Sequence, residues 1–174
     1  MKTCYEEAAI GSFFIIMSKG DFMSNILSKP EIARTLFQLL ERTSFRRQHI
    51  ENYVNRLFES FKGEGVPYVE SENDAYIVRI YERGMVMLEK RMEQTEEVIY
   101  WLLEDIIFTA AHVELLKRYG VDNKQTHLNY TNAVMQELTQ SIEKAFQQLG
   151  EPYLYWHQTG KRQDLEMLEP RKER

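Results

Sequence analysis

Between residues 66 and 119 the hydrophobic pattern changes period with only a short polar junction between. From Ala75 to Arg83 it alternates, with Tyr76, Val78 and Ile80 on one side and Ile77, Arg79, Tyr81 and Arg83 on the other. A period of two predicts a strand whose purely apolar side faces a core. Val66 to Val69 predicts an earlier strand. The intervening Glu72-Asn73-Asp74 is turn chemistry, because Asn and Asp tolerate positive φ. Gly84 turns the chain again and Met85 to Met92 returns as a third strand, with Val86 and Leu88 on one face and Met85, Met87 and Glu89 on the other. Pro67 favours an edge position for the first strand, since proline cannot donate to a ladder. The expected product is a three-stranded antiparallel meander with one covered face.

From Thr95 the period lengthens to that of a helix. Val98, Leu102, Ile106, Ala110 and Val113 share a face, and Ile99, Leu103, Ile107 and Phe108 widen it. A stripe that broad predicts a central helix packed on the sheet and on other helices together. Thr95 is positioned as a cap, Glu96 and Glu97 suit the first turn, Lys117 and Arg118 suit the last, and Gly120 ends it.

The flanking segments read as helices. Ser28-Lys29-Pro30-Glu31 has capping-box spacing, followed by Ile32, Leu36, Leu39 and Leu40 on one face. A second start at Thr43-Ser44 leads into Ile50, Tyr53, Val54, Leu57, Phe58 and Phe61, stopped by Gly63 and Gly65. Beyond Gly120 a helix from about Leu128 to Leu149 buries Val134, Leu138, Ile142, Ala145, Phe146 and Leu149. Tyr153, Leu154, Tyr155 and Trp156 form an aromatic clamp on the core or, alternatively, an exposed partner patch. The fold class is therefore α+β: the meander against a long central helix, with two amino-terminal helices and one further carboxyl-terminal helix. Residues 1–27 are expected to be a poorly ordered or accessory segment, 28–157 one domain, and 158–174 a charged, largely flexible tail.

Charge changes this picture. The net charge is −5. Residues 1–65 carry 9 basic and 8 acidic groups, 66–119 carry 6 and 11, and 120–174 carry 7 and 8. The acidity belongs to the central unit, which argues against nucleic-acid binding, since that needs a basic footprint. Arg46, Arg47 and His49 are diluted by Glu51 and Glu59. Glu70, Glu72 and Asp74 at the first turn, and Glu93, Glu96 and Glu97 at the helix start, would meet at one end of a meander as a negative rim able to hold a basic protein. Helix-dipole complementarity accounts equally for Glu96 and Glu97.

Chemistry is sparse. His49, His112, His127 and His157 are scattered, and the chain has no HExxH, CxxC, GxSxG or glycine-rich phosphate loop. The single Cys4 rules out an intrachain disulfide. Glu104 and Asp105 are adjacent on the long helix, one of them a partner for Arg79 or Arg83; as catalytic groups they would need an open polar pocket. No cofactor and no metal are expected. The longest apolar run, Phe13 to Met17, is too short to span a membrane. Glu6 and Glu7 before it argue against a signal peptide, so the expected compartment is the cytoplasm.

Ala75-Tyr76-Ile77-Val78-Arg79-Ile80-Tyr81-Glu82-Arg83-Gly84 resembles the strand of the immunity protein 63 family that runs into Glu-Arg-Gly. Glu97 to Phe108, with Tyr100-Trp101 and Glu104-Asp105, is similar to that family's helix, and Glu114-Leu115-Leu116-Lys117-Arg118 to its end. The likeness runs over residues 66–156, through Trp156. The segment to residue 27 has no counterpart, and Thr126-His127 stands where a more basic stretch is expected. The resemblance implies a non-catalytic protein that binds and neutralises a cognate bacterial toxin; the acidic rim makes a basic nuclease domain one candidate, and a monomer or homodimer is expected. It transfers no contact residues: Glu82, Arg83 and Gly84 match its most recognisable element, which serves the turn equally well. The alternative is a regulatory or structural interaction domain that self-associates near Trp156.

Overall fold

The computed structural model describes residues 26–58, 65–72 and 74–166. Their order is α1 (Lys29–Leu40), α2 (Arg47–Arg56), β1 (Pro67–Glu72), β2 (Ala75–Glu82), β3 (Met85–Met92), α3 (Thr95–Arg118), α4 (Asn132–Leu149), α5 (Tyr153–Gln158) and α6 (Lys161–Glu166). The three strands form one antiparallel sheet in the order β1-β2-β3, so the fold is α+β with the expected meander. The expectations for residues 1–25 and 167–174, for Phe61 and Gly63 within 59–64, and for Asn73 lie outside the described residues.

The sheet has two unlike faces. Tyr76 and Val78 on its inner face are fully buried and meet Val69 and Met92 across the strands. α3 lies against this face and also packs on α1, α2 and α4. Val98, Tyr100, Trp101, Leu102, Leu103 and Ile107 on α3 have no exposed surface. Burying such side chains contributes about 1.5–3 kcal/mol each. The Tyr76 hydroxyl accepts from the Leu27 N–H at 2.6 Å and lies 2.8 Å from Thr95 Oγ1. One phenol thus ties the chain before α1 and the start of α3 to the middle of the sheet.

Several local expectations are corrected. Thr95 is the first residue of α3 rather than its cap, which is Gln94. α4 begins at Asn132, where the Thr131 hydroxyl accepts from the Val134 N–H. β3 carries a bulge: Ile80 faces Leu88, but Tyr81 faces Val86. The extra residue sends Val86 to the face of Tyr81 instead of that of Leu88, and Met85, Val86 and Met87 are all exposed. Phe108, read as core, is 51% exposed. The packed body also continues past residue 157. Leu165 is buried, and the Arg162 guanidinium lies 3.8 Å from the centroid of the Trp101 ring while donating to the Trp101 carbonyl at 3.0 Å. Among the described residues no helix is long and apolar enough to cross a membrane.

Candidate functional site

The outer face of the sheet holds two of the acidic residues singled out above, Glu70 and Glu72, with Asp74 at the turn that borders it. Strand alternation places Tyr68, Glu70 and Glu72 of β1 beside Ile77, Arg79 and Tyr81 of β2 and Glu89 and Arg91 of β3. Arg79 is the hub. Its guanidinium pairs with Glu70, with Glu89 at 2.7 Å and with Glu72 at 3.8 Å. The Glu89 hydrogen bond first of all holds Arg79 in its charged form. Three carboxylates around one cation leave this cluster negative, with Lys29 beside it over the Tyr68 ring. Asp74 pairs with Arg91 at 2.7 Å. Ile77 is buried here, apart from the main core.

Tyr76 faces Met92, so the turn at Glu72 and Asp74 and the junction leading to α3 lie at the same end of the sheet. Glu93 and Glu96 are exposed there, while Glu97 is drawn to Lys161 of α6 at 2.7 Å. At the opposite end, Glu82 pairs with Met85 along the ladder, and Arg83 and Gly84 form the turn with φ of 51° and 77°. The Glu-Arg-Gly element therefore makes a two-residue hairpin turn, in which both central residues need positive φ.

A second polar group lies where α3 meets α5 and α6. Glu104 Oε1 accepts from the Tyr100 hydroxyl at 2.5 Å and faces His157 Nδ1 at 3.1 Å. Burial first, then the Glu104 contact, holds the Tyr100 phenol far above its ordinary range. Burial raises the Asp105 carboxyl, against the pull of Arg162. Glu104 and Asp105 are thus met by His157 and Arg162 from the carboxyl-terminal helices, rather than by Arg79 or Arg83. Trp156 stands edge-on to Tyr100 at 5.6 Å and to Tyr153 at 6.1 Å, turned inward, while Tyr155 is exposed. Trp101 is fully buried, and its Nε1 has no partner among the described residues.

Sequence reasoning missed an exposed aromatic ladder. Phe108 stacks on His112, His112 stacks on Tyr130, and His112 Nε2 lies 2.6 Å from the Tyr130 hydroxyl. Phe108 and His112 are one helical turn apart, which was a readable signal, but Tyr130 arrives from the connection after α3. The basic group on α2 is largely engaged: Arg47 pairs with Glu41 and Glu51, and His49 Nε2 lies 2.9 Å from Lys117 Nζ. No group of three or more metal-ligating side chains occurs among the described residues.

A family model described as Immunity protein 63 matches residues 72–165, more than half of the chain. The match begins in β1 and ends at buried Leu165, so it takes in α5 and α6. No curated protein and no solved structure matches the chain.

Proposed function

The chain belongs to the immunity protein 63 family, and from that premise we propose that it binds a cognate bacterial toxin stoichiometrically, in the cytoplasm, and blocks it without catalysis. The observation that carries the surface assignment is the open outer face of the sheet, where Glu70, Glu72 and Glu89 share Arg79. A negative face of this kind attracts a basic partner and speeds its encounter. Exposed Glu93 and Glu96 extend it at the α3 end. Against a nuclease toxin these carboxylates would occupy positions that substrate phosphates take in its basic cleft.

Co-expression with the product of the gene immediately upstream tests the reading, with growth rescue and co-purification as readouts. Rescue with a stable complex is the expected result; no rescue from a folded protein overturns it. The surface is tested by Glu72→Lys, Asp74→Lys and Glu93→Lys together. These positions are exposed, and the pairs that Glu72 and Asp74 make with Arg79 and Arg91 lie in solvent, whereas Glu70 is half-buried in direct contact with Arg79, so Lys there would confound folding with binding. The triple variant should stay folded and lose most of its protection, with binding more salt-sensitive in the parent. Unchanged protection would remove the acidic face from the interface.

A further inference from the structure

On the outer side of α4 and α5 lies a recess of about 410 Å³ lined by Glu143, Gln147, Leu154, His157 and Gln158. Glu143 and Gln147 are four apart on α4, and Leu154, His157 and Gln158 are three and four apart on α5, so each set projects from one helix face. His157 is oriented from behind. Its ring lies flat on Phe146, with centroids 4.0 Å apart and planes 6° apart, and its Nδ1 faces Glu104 Oε1. An ionised carboxylate only accepts, so Nδ1 is the protonated nitrogen in this contact, and in the neutral ring Nε2 is then the acceptor. One ring face and Nδ1 are occupied, which leaves the Nε2 edge and the other face to border the recess.

The wall offers the Glu143 carboxylate as its one fixed negative charge, the amides of Gln147 and Gln158, which can turn their oxygens inward to accept, and the Nε2 edge of His157, beside the apolar Leu154. Glu143 repels an anion. A purely apolar group would strip water from these acceptors and give nothing back. A flat cation with several N–H donors satisfies them together and can lay its face on Leu154, and this is the chemistry of a guanidinium. We propose that the recess receives the guanidinium of an arginine presented by a protein partner. The inference rests on the proposed partner-binding role for the source of that arginine, not for the chemistry of the recess.

The test is an NMR titration of the isotopically labelled full chain with arginine blocked at both ends, and with blocked citrulline, which keeps the shape and lacks the charge. Blocked arginine should give saturable shifts at Glu143, Gln147, Leu154, Gln158 and the His157 ring nitrogens, and blocked citrulline should not. Glu143 is exposed, so Glu143→Gln should fold and weaken binding about three- to tenfold. Glu151→Gln, outside the recess, should leave it unchanged. Equal response to citrulline, scattered shifts, or indifference to Glu143→Gln would overturn the proposal. Binding of free agmatine without blocked arginine would also overturn it, in favour of a small metabolite. Failure here would leave growth rescue intact, and failure of rescue would leave these shifts intact, so the two readings fall separately.

Discussion

Replacing Gly84 by alanine should destabilise the protein by about 0.8 kcal/mol, the difference between the mid-values of two opposing backbone terms. Gly84 closes the β2–β3 hairpin at φ 77°, next to Arg83 at φ 51°. A Cβ built there meets nothing within 4 Å, so no clash contributes. An L-residue in the left-handed region costs about 1–2 kcal/mol. Alanine also narrows the unfolded ensemble, which offsets about 0.4–1 kcal/mol of that. For a chain of this size each kcal/mol lowers Tm by roughly 2–4 °C. Urea unfolding and a thermal scan measure both quantities. Gly84→Asn should cost less than Gly84→Ala, because asparagine tolerates positive φ. An alanine variant as stable as the parent, or an asparagine variant as damaged as the alanine one, would refute the backbone argument. The same pair speaks to function. A Gly84→Ala protein that stays folded should still rescue growth, and loss of rescue at unchanged Tm would make the turn a partner contact.

Three further outcomes are expected. Burial raises the Asp105 carboxyl; the folded state then gains from its protonated form, and that gain is lost as pH rises through the raised value. Asp105→Asn should accordingly stabilise the protein at neutral pH, with the advantage shrinking as pH falls toward the ordinary carboxylate range, as read by denaturant melts at both ends. Backbone N–H groups of Lys124, Thr126 and Gln125 lower the Asp122 carboxyl to about 2. Its support of the 122–126 loop should hold above the ordinary carboxylate pKa near 4 and fade as pH falls toward about 2, which the amide resonances of those three residues report. Leu165 is 6% exposed, so Leu165→Ala should cost about 2–5 kcal/mol in chemical denaturation, whereas a loosely attached end would tolerate it with no change.

The strands, the long helix and the hairpin turn are legible in residue order because each depends on a few consecutive residues. Tyr76, Val78 and Ile80 must point one way once a strand forms. Gly84 permits a conformation that other residues resist, and the Ser28–Glu31 contact closes within one helical turn at 2.8 Å. The family likeness rests on the same local elements. Pairings between distant residues follow different rules. The grouping of Glu70, Glu72 and Glu89 on Arg79 depends on cross-strand register, and a single bulged residue in β3 was enough to turn Val86 to the outer face. Glu104 meets His157 and Asp105 feels Arg162 because α5 and α6 fold back across α3. Charge density around Arg162 and Leu165 suggests a solvated tail, yet one stacked guanidinium and one buried leucine hold that segment to the core. Phe108 belongs to an apolar helical stripe and still faces solvent, because the helices around α3 cover less of it than its stripe offers. Periodicity reports which side of an element is apolar; what covers that side, and which charges meet across the fold, is set by how separate elements dock.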